Sequence, residues 1–395
     1  MAATRKSLAG LPLVLFAQYG STGGTRTYFR QLLGFYERVG VELTVIRQGP
    51  PGDTDMDDFL ADRGVTSLDW ASIRPSASPS HFGLYRRQAL RQEIEAEAAV
   101  VRDVASSVGA SLVVASVGDP GSHLGAMAAA SRGLYFLHTY PHGIRSAVNS
   151  RLLMPGSFPS SARVVTVSAF AAKRIVRNWR LSSRAGDVRY VYSSTGPVPD
   201  RGATVRDNAT VLTVGHVEHY KDPLGWIDIA ASVLARGAPM SQELKFIWVG
   251  DGSLLDSCRR TLRARRLEGR VDFVGAHHDL RTLYEEAAVY LQPSRVESLG
   301  LGVLDAAKFG VPAVVTRVGG LPEVVESGTS GIVYEPGHNQ RAARAVADLL
   351  SRPDERAALG FEARRLYEER FGPEQWESAI HAIHDEIIQA PRRGP

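Results

Sequence analysis

The chain has 395 residues, 44% hydrophobic and 22% charged, with a formal net charge of +4. At roughly 150 residues per domain that length predicts two domains, and the ordinary composition excludes wholesale disorder, a collagen-like fibre and a bundle of membrane helices. Cys258 is the only cysteine, which excludes an intramolecular disulfide and a cysteine-rich zinc site.

The first apolar run, Leu11 to Ala17, is too short to span a bilayer and has no small-residue cleavage signature after it. It reads as a buried strand of a cytoplasmic protein. Charge is uneven along the chain. Residues 1–200 hold 22 Lys and Arg against 15 Asp and Glu, whereas 201–395 hold 24 against 27. Between 129 and 200, ten basic residues face only Asp187 and Asp200. Such an excess fits an anionic partner (nucleic acid, lipid surface or phosphorylated substrate) or a merely solvated face.

Short apolar runs alternate with helical stretches, the signature of βαβ units and parallel sheets. In the first half the predicted strands are 11–17, 41–46, 111–116, 133–139, 163–168 and 188–193. Their near-continuous apolar character fits strands buried on both faces. Arg91 to Val108 lacks Gly and Pro and predicts a helix. The Pro- and Asp-rich stretch from Gly49 to His81 predicts a surface loop with some helix inside, its Asp53 and Asp55 solvated. After the polar segment 196–208 a second series begins, with strands at 209–216, 244–252, 270–276, 288–294, 311–318 and 331–337. Trp376 to Ile388, after Pro373, predicts a closing amphipathic helix. The expected organisation is α/β: a domain over 1–195, a linker over 196–208, a second domain over 209–372, and a C-terminal helix over 373–395 returning to the first domain. Two doubly wound domains place a ligand in the cleft between them.

The densest signal lies in residues 293–337. A strand ends at Ser294, a turn offers Glu297, and Gly300, Leu301 and Gly302 open a helix that contains Asp305. A helix start built of small residues presents free N–H groups to a diphosphate, aided by the helix dipole. A carboxylate before that start can accept bonds from sugar hydroxyls, and one a turn later can accept bonds from a vicinal diol. Each piece alone reads equally as packing or capping.

Together, Glu297, Gly310-Val311-Pro312, Gly319-Gly320-Leu321-Pro322-Glu323 and the stretch Gly328 to Gly331 resemble the donor region of the retaining glycosyltransferases of family four. Asp305 stands where the second Glu of that family's Glu-x7-Glu motif is usual. The resemblance implies the GT-B fold, two Rossmann-like domains facing across a cleft. It is specific in the C-terminal half and loose in the N-terminal half. It further implies that Lys221, in VGHVEHYKDP, binds the donor diphosphate, with His216 at a position usually held by Arg. Guanidinium is always charged and bidentate, and neutral imidazole is the poorer phosphate ligand.

In the first half, Gly23 and Gly24 resemble the loop that approaches the donor phosphates, and His138 matches the histidine near the donor sugar. The catalytic set implied is His138, Lys221 and Glu297. Donor binding then falls to Gly23, Gly24, His216, Lys221, Glu297, Gly300, Leu301, Gly302 and Asp305. The family works without metal or other cofactor, and no metal site is read here. The implied partners are a UDP- or GDP-linked sugar and a hydroxyl acceptor, with no nucleic acid. Lys173, Arg174, Arg177 and Arg180, with Trp179 among them, leave two readings open: peripheral contact with an anionic membrane at its inner face, or a solvated helix flank. Because His216 and Asp305 depart from the family pattern, a sugar-nucleotide-binding protein without transfer is the alternative, followed by a nucleotide-sugar epimerase.

Overall fold

The computed structural model describes residues 8–21, 23–74, 87–110, 112–118, 122–129, 132–142, 151, 162–200, 209–236, 244–277 and 279–389. The chain forms two units: Met1–Val191 together with Glu377–Pro395, and Tyr192–Trp376. Most of the expected linker, 201–208, lies outside the described residues, and Tyr192 to Asp200 is extended chain without strand pairing.

In the first unit seven parallel strands form one sheet: β1 Pro12–Gln18, β2 Glu42–Gln48, β3 Thr66–Asp69, β4 Leu112–Val117, β5 Gly133–Leu137, β6 Ala162–Thr166 and β7 Val188–Tyr190. Their order is β3-β2-β1-β4-β5-β6-β7. β4 and β5 are buried along their whole length, as a parallel sheet covered on both faces requires. Val14, Phe16, Val113, Tyr135, Val164 and Ile175 meet in the core.

The Pro- and Asp-rich stretch differs from expectation. It contains the edge strand β3 and the helices Thr54–Ala61 and Trp70–Ile73. Thr66–Asp69 has no fully buried residue, so it carries no apolar alternation to be read. Asp53 is not solvated either. Its carboxylate accepts the Met56 N–H at 3.3 Å as the helix cap and pairs with Arg26 at 3.0 Å, and that guanidinium holds its carboxyl below the usual range. Asp55 pairs with Arg30 at 2.7 Å as well as with Arg26.

The closing helix, Pro373–Gln389, sets buried polar groups against the helix Gly24–Val39. His384 donates from Nδ1 to the Ile380 carbonyl at 2.8 Å, which leaves Nε2 to accept from the Tyr36 hydroxyl at 2.9 Å. Burial pushes His384 down to about 4, so the ring stays neutral.

The second unit holds six parallel strands: β8 Thr210–Val214, β9 Lys245–Val249, β10 Val271–Gly275, β11 Ala287–Gln292, β12 Ala313–Thr316 and β13 Gly331–Tyr334. The order is β10-β9-β8-β11-β12-β13. Trp226 packs edge-on against Trp248 at 5.4 Å, in a core that also takes in Phe246, Val289 and Leu349. One hydroxyl bonds the segment after Val191 at two backbone groups. Tyr367 donates to the Gly196 carbonyl at 2.6 Å and accepts the Thr195 N–H at 3.1 Å. Lys308 adds a bond to the Thr195 carbonyl at 2.8 Å.

Replacing Tyr367 by Phe leaves both backbone groups short of a partner, which costs about 1–3 kcal/mol. Denaturant unfolding of Tyr367→Phe should show that loss in the second unit's transition. A change under about 0.5 kcal/mol, the range of an ordinary surface substitution, would deny the hydroxyl this role.

Candidate active site

Strand order reverses between β1 and β4 in the first unit and between β8 and β11 in the second. Ligands of doubly wound sheets bind at the carboxyl ends of the strands beside such a switch. Every predicted site residue except His138, which follows β5, lies just past one of these strand ends or on the helix that follows.

In the second unit the chain leaves β8 through Gly215 and His216 and makes a 3-10 turn over His219–Lys221. It then reaches Asp222, whose carboxylate caps the helix Pro223–Ala235 by accepting the Gly225 N–H at 3.3 Å. After β11 the chain passes through Ser294 and Glu297 to the helix Leu301–Lys308. The Tyr220 carbonyl accepts the Arg295 N–H at 2.8 Å and the Val296 N–H at 3.2 Å, and the Arg295 guanidinium lies 3.0 Å from the Asp222 carboxylate. That locking joins two residues 76 positions apart: Lys221 Nζ donates to Glu297 Oε2. Their side chains are 14% and 13% exposed, so the pair is largely withdrawn from water.

Glu297 is fixed from the other side by the Gly-Gly-Leu-Pro-Glu loop. A Cβ at Gly319, where φ is +56°, would fall 1.5 Å from the Glu297 carbonyl oxygen. Only glycine allows the loop this close. Oε2 also accepts from Gln292 Nε2 at 3.0 Å, while Oε1 has no hydrogen-bond partner among the described residues. Gly300, at φ +101°, caps the next helix without a side-chain bond. The Leu301 and Gly302 N–H groups at that start have no acceptor among the described residues. One unspent carboxylate oxygen and two unspent donors therefore lie beside the ammonium.

Asp305, one turn on, has its Oδ1 2.9 Å from Lys308 Nζ, with the Thr195 hydroxyl nearby. Burial raises its carboxyl above the usual range, with Lys308 and Thr195 opposing. His216 lies 3.2 Å from the Tyr220 hydroxyl through Nδ1. Burial lowers its pKa, Lys221 adds to the fall, and Glu218 and Glu297 oppose it. The imidazole is therefore neutral near pH 7.

In the first unit Gly23 caps the helix Gly24–Val39 at φ +91°. Tyr28, one turn in, packs its ring 4.5 Å from that of His138, which stands just past β5. His138 Nε2 is 2.9 Å from Ser116 Oγ, and Nδ1 has no partner among the described residues. Burial pushes His138 down to about 3, so it exchanges hydrogen bonds as a neutral ring and takes no proton at physiological pH.

Residues 200–366 match the family model for glycosyl transferases group 1. That match lies within the second unit. The chain is 30% identical over 152 residues to N-acetyl-alpha-D-glucosaminyl L-malate synthase of Bacillus anthracis, a match covering 38% of this chain and 40% of that one. It therefore spans less than half the length of this curated relative. Against D-inositol 3-phosphate glycosyltransferase 1 of Catenulispora acidiphila the identity is 27%, over 69% of this chain and 71% of the relative. Anabaena HepE, solved in complex with UDP and glucose, superposes with a TM-score of 0.72 over 94% of this chain and 99% of its own, at 18% identity. The group 1 resemblance and the GT-B fold read from the sequence both stand.

Within the second unit, the structure brings Lys221, Glu297, His216 and the Gly300–Gly302 helix start together. Asp305 is on the same helix but is engaged with Lys308. Gly23 and Gly24 lie at the first unit's switch point, and His138 lies one strand further on, past β5. Lys173, Arg174, Arg177 and Arg180 are exposed, but Trp179 is fully buried, so it is no part of that basic face. Sequence reasoning passed over Ser116, Tyr290 and Gln292. The available signal was a pair of polar residues two apart in an otherwise apolar strand. No described helix is long and apolar enough to cross a membrane, and no cluster of three or more metal-ligating side chains occurs among the described residues.

The electrostatics of His216 can be checked directly. By NMR titration its ring should titrate below the ordinary 6.5 in the free protein, and Lys221→Met should move it upward, since a neighbouring cation is removed and Glu297 is left unpaired. An unchanged or lower value in the folded variant would show that Lys221 does not act on the ring.

Proposed function

We propose that the protein transfers a sugar from a nucleoside diphosphate donor to an acceptor hydroxyl, with retention at the anomeric carbon and without a metal ion. The observation that carries this is the Lys221–Glu297 pair at the second unit's switch point, with Glu297 Oε1 and the Leu301 and Gly302 N–H groups left open beside it. A diphosphate bound there meets one ammonium and a helix N-terminus, which together can carry the charge that develops on a leaving group. Glu297 then accepts hydroxyls of the sugar.

In this reading Lys221 and the helix start hold the diphosphate as the anomeric C–O bond breaks. The acceptor oxygen bonds to the same face of that carbon, and its proton passes to the departing phosphate oxygen. Asp305 takes the ribose diol, which requires that it give up part of its present bonding to Lys308. The complexes of Anabaena HepE with UDP and with UDP-glucose support a uridine donor.

Incubation with a panel of UDP- and GDP-linked sugars, following released nucleotide, tests this. Slow donor hydrolysis is expected, and Lys221→Met should lower kcat by at least about 100-fold, the worth of one charge-stabilising donor. A thermal melt of the variant separates lost chemistry from lost fold. Binding without release in the wild type would indicate a sugar-nucleotide-binding protein instead, the alternative that the engaged Asp305 and the neutral His216 favour. An altered sugar still attached to its nucleotide would indicate an epimerase.

A further inference from the structure

We infer that Tyr290 and Gln292 are positioning residues for Glu297: they hold one carboxylate oxygen beside Lys221 and so reserve the other for the donor sugar. The inference rests on the donor reading above and deepens it.

β11 reads Ala-Ala-Val-Tyr-Leu-Gln and is buried throughout. Tyr290 is 0% and Gln292 2% exposed, and at positions two apart they share a face of the strand. Placing an amide and a phenol there is unfavourable unless each polar atom finds a partner. They do, in a fixed sequence. The Tyr290 hydroxyl accepts the Val214 N–H at 3.1 Å and lies 3.0 Å from Gln292 Oε1 and 3.1 Å from the Val214 carbonyl. Gln292 Nε2 donates to Ser294 Oγ at 2.9 Å and to Glu297 Oε2 at 3.0 Å.

The network also fixes which way the amide points. A flipped Gln292 would set its carbonyl oxygen against the Glu297 carboxylate, two acceptors facing each other, and would leave Glu297 without its neutral donor. Burial keeps the Tyr290 phenol protonated, so it remains available as a donor to the amide oxygen. Glu297 Oε2 therefore receives two donors, one charged and one neutral, and its rotation is limited.

The same network explains a glycine. A Cβ at Gly302 would lie 2.2 Å from the Tyr290 hydroxyl and 3.0 Å from the Val214 carbonyl. The helix start can approach only because that position is bare, and Tyr284 secures it by donating to the Gly302 carbonyl at 3.2 Å. Tyr290 thus touches three parts of the site at once: the end of β8, the helix N-terminus and, through Gln292, the carboxylate. A purely structural hydroxyl would have no need of the last of these.

The test compares affinities for UDP, GDP, UDP-glucose and GDP-mannose by calorimetry in wild type, Gln292→Met and Tyr290→Phe, each checked by thermal melt. Gln292→Met keeps the volume and removes the amide; Tyr290→Phe removes only the hydroxyl. The wild type should prefer the nucleotide sugar of its donor class over the free nucleotide. In Gln292→Met that preference should fall roughly tenfold or more, as expected for one hydrogen bond to a charged group, with free-nucleotide affinity held within about twofold. Tyr290→Phe should move the ratio the same way by less. A wild type that shows no preference for any nucleotide sugar defeats the donor reading and this inference with it. A wild-type preference kept intact in the folded variants defeats the inference alone. Should Gln292→Met not fold, the same ratio in Tyr290→Phe decides.

Discussion

The second unit's site depends on an ion pair that its two loops are built to make. Lys221 and Glu297 leave different strands, and no local contact brings the two together. They meet because the turn at Tyr220 bonds to the backbone at Arg295 and Val296, and because Gly319 lets a third loop rest on Glu297. Withdrawing two charges from water is costly unless their remaining valences are met. Gln292 meets one of them, and the pair thereby keeps a defined geometry. A diphosphate carries more negative charge than a carboxylate and would compete for the same ammonium. On that exchange Glu297 is released from Lys221 while still held by Gln292, so arrival of the phosphates would itself prepare the sugar-binding group.

Charge in the first unit is organised differently. Arg26, Arg30 and Arg47 are paired with Asp53, Asp55 and Asp57 across the ends of β1 and β2, and Arg163 is paired with Asp187. These arginines brace loops. The basic excess seen in the sequence resides instead in residues such as Lys173, Arg174, Arg177 and Arg180, which are exposed and form no ion pair among the described residues. Summed charge gave both groups the same weight, although only the second projects a field into solvent.

What could be read from the chain follows the range of each interaction. Strands such as β4 and β11 were legible because burial on both faces writes itself as continuous Val, Leu and Ala. β3 was not, since an exposed edge strand of four residues has no such imprint. Glu297 and the Gly300–Gly302 start were legible as types at a spacing and Lys221 through the family resemblance, but the Lys221–Glu297 pairing is a contact between distant strands that no spacing encodes. Gln292 lies inside a predicted strand, and only its three-dimensional neighbours turn it into a partner of Glu297. The neutral state of His216 and the engaged state of Asp305 belong to the same class, being set by burial and by Lys221 and Lys308.

The most direct measurement is a crystal structure with the nucleoside diphosphate sugar that binds most tightly. The account predicts Lys221 Nζ within hydrogen-bond distance of a phosphate oxygen, the Leu301 and Gly302 N–H groups facing the same diphosphate, and Glu297 turned to a sugar hydroxyl with Gln292 still on Oε2. A nucleotide bound elsewhere, with the Lys221–Glu297 pair intact, would contradict it.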